Sequence, residues 1–199
     1  MEQLNEQNPE MNQEPVMTPP EFNPGVPCPQ LTFKEAVKIC WSKYSDFTGR
    51  ARRSEYWWFS LFAFLVMLLP LILLIIGFGM SQGSYEYPRT GWPLFIIGGI
   101  VVVILSLIFL LPSLAVTTRR LHDTGHSGWW IVANYAVSFT SSFVRSFLIG
   151  AGYEDNKLGI VIGLILGLIN FGIGLTMLIF MLLDSHKGEN QYGPSPKYQ

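Results

Sequence analysis

The chain has 199 residues, 49% of them hydrophobic and only 14% charged, whereas an ordinary soluble domain carries roughly 25% charged residues. That balance does not fit a solvated globular protein and makes a membrane protein the first expectation. The formal net charge of -1 cancels an acidic head against the basic segment that follows it, so charge carries information here only by position.

Residues 1–30 hold glutamates at 2, 6, 10, 14 and 21, many Asn, Gln and Pro, and neither lysine nor arginine. Such a stretch has too little apolar surface to offset the entropy of ordering it, and reads as a disordered acidic tail. It holds no apolar run of the kind a secretory signal needs, so membrane entry is expected from internal helices. Cys28 and Cys40 lie on the side assigned below to the cytoplasm; they offer no disulfide framework and no paired metal spacing.

From Phe33 the pattern changes. Phe33, Ala36, Val37, Cys40, Trp41 and Tyr44 recur at three- and four-residue steps, while Lys34, Glu35, Lys38 and Lys43 fall mostly on the other side. That periodicity predicts an amphipathic helix lying in the headgroup region, its lysine stems reaching toward anionic phosphates. The alternative is a helix packed on its own bundle.

Four apolar intervals follow, expected at about 58–78, 93–114, 129–149 and 158–183 within a membrane domain of residues 31–197. The first is long enough for roughly 31 Å of helix; Pro70 inside it predicts a kink. A polar connection, Ser81 to Thr90, precedes the second. The third is studded with Asn134, Ser138, Thr140, Ser141, Ser142 and Arg145, and spans only if that side meets protein or water. Arg145 is expected near the outer interface, where it can snorkel, with a wet pathway as the rival reading. In the fourth, Gly159, Gly163 and Gly167 repeat every four residues and predict a groove for close helix packing. Asp184 to Gln199 reads as a short polar tail.

Orientation follows from the basic residues. Lys34, Lys38, Lys43, Arg50, Arg52 and Arg53 precede the first span, Arg119 and Arg120 lie between the second and third, and Lys187 and Lys197 follow the fourth. The other side has only Arg89 and Lys157. The expected architecture is therefore an all-α membrane protein, four transmembrane helices preceded by an amphipathic interfacial helix, with both termini cytoplasmic. Trp57, Trp58, Trp92, Trp129 and Trp130 fall at the expected helix ends, where an amphipathic ring is most stable.

Three stretches, FTGRARRSEYWWF, RRLHDTGHSGWW and GENQYGPSP, resemble the signature segments of the YhaH-like bacterial inner-membrane proteins, the domain of unknown function 805 family. The residues that carry the resemblance are Phe47, Gly49, Arg50, Arg53, Glu55, Tyr56 and Trp57 in the first, and Arg119, Arg120, Leu121, His122, Asp123, Gly128, Trp129 and Trp130 in the second. Gly188, Asn190, Tyr192, Gly193, Pro194 and Pro196 carry it in the third. His126 stands where the family carries an arginine. The resemblance implies an inner-membrane location and a helical fold, with no activity assigned.

If all three stretches share one face they can build one site. Arg50, Arg52, Arg53, Arg119 and Arg120 would give it a positive rim for anionic lipid or another anion, guanidinium forks being suited to phosphate and carboxylate. Gly49, Glu55, Trp57, His122, Asp123, Gly128, Trp129, Gly193 and Pro194 are expected to be structural. His122, His126 and His186 can be drawn as a metal site, but Gly125 and Gly128 make the stretch between the first two a loop, so the four-residue spacing carries no geometry; His122 and Asp123 are expected to hydrogen-bond backbone there. Neither a metal nor any cofactor is expected. No nucleophile elbow or phosphate-cradling glycine loop occurs, so enzymatic activity is not expected either. The expected partners are membrane lipids, with a homo-oligomer or a membrane-protein partner left open and no nucleic acid; the expected function is a non-enzymatic membrane protein whose basic cytoplasmic face engages anionic lipid or a protein partner, with a small transporter or channel component as the alternative.

Overall fold

The computed structural model describes residues 27–81, 90–153 and 156–198. The acidic head before residue 27, most of the connection expected at Ser81 to Thr90, and Arg89 with it lie outside the described residues. Five helices occur in the order α1 (Phe33–Ser42), α2 (Arg53–Ser81), α3 (Trp92–Asp123), α4 (Trp129–Gly150) and α5 (Lys157–Leu182). Among the described residues, α2, α3 and α5 are long and apolar enough to cross a membrane. The hydroxyls, Asn134 and Arg145 of α4 keep that helix out of the group.

α1 starts in a capping box. The Thr32 hydroxyl accepts from the Glu35 amide at 3.4 Å, and the Glu35 carboxylate accepts from the Thr32 amide at 2.8 Å, so two orphan donors of the first turn satisfy each other's residues. The apolar stripe of α1 packs on the bundle: Ala36 and Cys40 are fully buried, the Phe33 ring meets Trp58 and Phe62 edge-on, and Trp41 meets Phe109. Lys34, Lys38 and Lys43 stay exposed.

α2 and α3 form an antiparallel hairpin whose closeness is set by glycine. A Cβ at Gly98 would stand 2.8 Å from the Leu74 amide nitrogen, and one at Gly77 would collide with the backbone of Phe95. Small residues that let two backbones meet are the usual adhesive between membrane helices, and here they are Gly77 and Gly98. The glycine repeat in α5 does not serve that purpose: Gly159 lies against the Tyr153 carbonyl of the α4–α5 connection, and a Cβ at Gly163 or Gly167 would meet nothing within 4 Å. The difference follows from spacing: Gly163 and Gly167 border a cavity shared with Ser138, Ser141 and Arg145 of α4, so no backbone comes close enough to use the groove.

Pro70 and Pro112 both lie inside uninterrupted helices. Pro112 has no N–H for the carbonyl four residues earlier, and Tyr44 makes good the loss, donating its hydroxyl to the Ile108 carbonyl at 2.7 Å. A residue just after α1 thus completes the hydrogen bonding of α3.

α4 and α5 pack antiparallel through a neutral polar trio: Ser138 donates to the Asn170 amide oxygen at 3.1 Å, and Asn170 Nδ2 donates to Ser141 at 2.7 Å. This pair meets the α2–α3 hairpin chiefly at one end, where Leu121, Ile131 and Met181 form a small buried cluster. Further along, a cavity of about 680 Å³ separates them, lined by residues such as Phe64, Phe109, Leu114, Asn134, Tyr135 and Met177.

Two elements extend beyond what the apolar pattern shows. α3 continues past the apolar interval expected to Leu114 and runs through Asp123, because Val116, Arg119, Arg120, Leu121 and Asp123 are all buried against other elements and no helix breaker intervenes before Gly125, whose φ is +79°. The polar tail after α5 is not a loose end either. Residues 184–198 fold back as a strap across the start of α2 and the end of α3, with Ser195 only 1% exposed.

Candidate functional site

The strap, the end of α3 and the segment before α2 meet at one end of the bundle, and Arg50 is the hub. Its Nε donates to Asp123 Oδ1 at 3.0 Å, Nη1 to the Gly188 and Gly193 carbonyls at 2.8 and 3.1 Å, and Nη2 to the His186 carbonyl at 2.6 Å. One guanidinium therefore ties all three signature stretches together. Gly49, just before it, takes a φ of +74°, which a side chain would oppose; its carbonyl lies 3.2 Å from His122 Nδ1. Gly193, at φ +111°, closes a tight turn with Asn190, whose Nδ2 donates to the His122 carbonyl at 2.9 Å.

Asp123 serves two arginines. Its second carboxylate oxygen accepts from Arg120 Nη1 at 2.5 Å, and Arg120 Nη2 also bonds the Leu183 carbonyl at the end of α5. Arg119 points to the other side of α3 and pairs with Glu55 at 2.8 Å, while its own carbonyl accepts from the Ala51 amide. Arg50, Arg119, Arg120, Glu55 and Asp123 are between 0% and 6% exposed. Three buried cations thus face two carboxylates, and Arg119 Nε, Arg119 Nη1 and Arg120 Nε have no hydrogen-bond partner.

The thiol of Cys40 lies 3.8 Å from Glu55. Burial first, and then the neighbouring Glu55 charge, push that thiol up to about 12, so it stays protonated at neutral pH, and a thiolate is what reactivity would require. Cys40 is a packing residue.

The five expected rim arginines therefore occupy two environments. Arg50, Arg119 and Arg120 are turned inward; Arg52 and Arg53 lie at the surface beside the strap. Arg53 pairs with Asp184 at 2.9 Å and Lys197 with the same carboxylate at 2.7 Å. The bonded Lys197 ammonium holds the Asp184 carboxyl below the usual carboxylate range, and it stays ionised at neutral pH. Arg52 directs Nη1 to the Pro29 carbonyl at 2.8 Å and Nη2 to that of Cys28 at 2.9 Å.

The remaining expected residues fall into place around this centre. Trp57 and Trp129 are 41% and 74% exposed, at the starts of α2 and α4. Gly128 precedes α4, where a Cβ would press on the Thr118 methyl at 2.8 Å, and Pro194 is exposed in the strap. His122 is helical, in the last turn of α3, and stacks on Tyr192 with centroids 3.7 Å apart; His126 stacks on Phe180 at 3.9 Å. Among the described residues no group of three His, Cys, Asp or Glu side chains is placed to hold a metal ion. Sequence reasoning missed Asp184, Ser185 and Lys197. Their only signal was proximity to the third signature stretch.

A family model described as a protein of unknown function (DUF805) matches residues 44–194. The matched range takes in α2 to α5 and most of the strap but not α1. The chain is 30% identical over 156 residues to the inner membrane proteins YhaH and YhaI of Escherichia coli strain K12, an overlap of 78% of this chain and of 91% and 89% of those proteins. No solved structure matches.

Proposed function

The chain belongs to the DUF805 family, and from that premise we propose that it is a non-enzymatic protein of the bacterial inner membrane whose basic face engages anionic lipid from the cytoplasmic side. In this reading α2, α3, α4 and α5 all span and both termini lie inside. The names of the relatives support the location, three long apolar helices support the spans, and the lysine and arginine asymmetry supports the orientation. α4 crosses with Ser138 and Ser141 on Asn170 of α5, which shields those two hydroxyls from hydrocarbon.

One observation carries the lipid reading: after three arginines are buried, the surface at the signature end remains basic. Among the described residues Lys34, Lys38, Lys43, Arg52, Arg53, Lys187 and Lys197 are exposed or half-buried there against Glu35, Asp46, Asp184 and Glu189. Each such cation near an anionic leaflet contributes about 1 kcal/mol, screened by salt. The carboxylates that could serve an acid–base reaction are held by arginines instead, which supports a non-catalytic role. The test is lipid selectivity of the purified protein in mixed phosphatidylglycerol and phosphatidylcholine nanodiscs, with reporter fusions at each end. Enrichment of phosphatidylglycerol that fades with salt is expected, and equal retention of the two lipids, or a periplasmic reporter signal, overturns the reading.

A second reading, a transporter or channel component, has one feature in its favour. Arg145, Ser138, Ser141, Ser142 and Asn170 line a polar cavity of about 260 Å³ beside Gly163 and Gly167. Ion or metabolite flux across proteoliposomes would support it; silence over a broad panel removes it.

A further inference from the structure

Between the first turn of α2, residues 27–30 and the strap lies a cavity of about 530 Å³, lined by Arg52, Arg53, Lys197, Ser185, Trp57 and Trp58. Among the described residues its charge is unbalanced: Arg53 and Lys197 share the single carboxylate of Asp184, and the partners of Arg52 are backbone carbonyls. Two positive charges are thus left over. The first amides of α2 add to this, since a helix start carries unpaired N–H donors and the positive end of the dipole.

Ser185 supplies an independent sign of a missing partner. The residue is 5% exposed, and its hydroxyl makes no hydrogen bond, although buried polar side chains seldom go without one. An unpaired hydroxyl beside three cations lacks an acceptor, and an anionic oxygen is the acceptor that suits the surroundings. The indoles give the ligand its other half. Trp57 and Trp58 are 41% and 39% exposed where α2 turns apolar, so the lining combines cations with rings of the membrane-interface type.

We propose that this cavity holds the phosphodiester of one anionic phospholipid, with Arg52, Arg53 and Lys197 balancing its charge, Ser185 donating to a phosphate oxygen, and the two indoles flanking the glycerol and the first methylenes. The inference rests on the reading of this face as the lipid-engaging one. It adds a single stoichiometric site to a diffuse attraction. The surplus of cations selects a net-negative headgroup; a zwitterionic one would bring its own ammonium among the arginines.

The test uses the full chain in nanodiscs of phosphatidylglycerol in phosphatidylcholine, with retained lipid counted by native mass spectrometry. Ser185→Asp places a carboxylate where the phosphate oxygen would sit, filling the site from within while preserving the cationic wall. A control carries Lys34→Gln, Lys38→Gln and Lys43→Gln, which lowers surface charge away from the cavity. One tightly held phosphatidylglycerol is expected in the wild type, at least tenfold lower occupancy in Ser185→Asp, and less than a twofold change in the control. Should Ser185→Asp not fold, Lys197→Gln takes its place, with at least a threefold loss expected. Retention equal to wild type in the cavity variant, with phosphatidylglycerol still preferred overall, overturns the site and leaves the broader reading standing. No preference for phosphatidylglycerol in the wild type overturns both, and release of the lipid by millimolar inorganic phosphate assigns the cavity to free phosphate instead.

Discussion

The two ends of this bundle handle polar groups in opposite ways. At the signature end five ionisable side chains are almost wholly buried, joined to one another and to carbonyls of the strap. Away from that end, along α4 and α5, the internal polar contacts are neutral, Ser138 to Asn170 to Ser141, and Arg145 is exposed with no ion pair among the described residues. Helices can pair through hydroxyls and glycine alone. Irregular segments cannot, because their carbonyls need donors with defined directions, and a guanidinium offers five donors in a rigid fork. Arg50 and Arg120 together satisfy carbonyls of His186, Gly188, Gly193 and Leu183. Buried ion pairs add little net stability over a well-packed apolar contact, and this cluster even leaves arginine nitrogens unpaired. Its effect is on which segments meet.

The largest expected effect comes from removing the shared counter-charge. Asp123→Asn leaves Arg50 and Arg120 buried without a carboxylate, a loss of about 3–5 kcal/mol, expected to appear as an early transition in an SDS unfolding titration and as proteolysis of the strap. The comparison sharpens on the other pair. Glu55→Leu alone is expected to destabilise on the same scale, whereas Glu55→Leu combined with Arg119→Leu recovers most of the loss, since no orphan charge remains. A double variant as damaged as the single one would mean that this pair contributes real stability.

Much of the scaffold was legible from residue patterns. The tryptophans marked helix starts, Trp92 and Trp129 being the first residues of α3 and α4, and the apolar runs placed all four long helices because hydrophobic length is a local property. The site was legible only in outline. That the three signature stretches converge followed from their basic residues, but which arginines turn inward depends on the strap, a non-helical segment with no periodicity to betray where its carbonyls point. Arg119 and Arg120 are adjacent and chemically identical, yet one meets Glu55 and the other Asp123 because a helix places neighbours about 100° apart. The helical glycines misled for a similar reason: the regular repeat in α5 was conspicuous, while Gly77 and Gly98, on different helices, form a packing pair only once the hairpin closes.

Tyr44 offers an intermediate case, a neutral bond made at the edge of the charged end. Tyr44→Phe deprives the Ile108 carbonyl of the donor that Pro112 cannot supply. The expected loss is about 1–2 kcal/mol, since the carbonyl is left without its donor. Replacing Pro112 with alanine in the same background restores an internal N–H and is expected to return most of the stability. Failure of Pro112→Ala to rescue would mean that Tyr44 acts through packing on Trp41, not through its hydroxyl.

The smallest effect is expected midway along the α4–α5 pair. Asn170→Leu removes both inter-helix bonds of the trio, but each serine can turn its hydroxyl to the carbonyl four residues earlier on α4, as Thr176 on α5 already does with Gly172. Bonds of this kind between membrane helices average about 0.6 kcal/mol, since the separated helices find internal partners of their own. The SDS midpoint should therefore move much less than for Asp123→Asn, and strap proteolysis should not change. A loss approaching that of Asp123→Asn would break the contrast, because it would mean that the neutral trio holds the α4–α5 pair together as firmly as the ion cluster holds the strap.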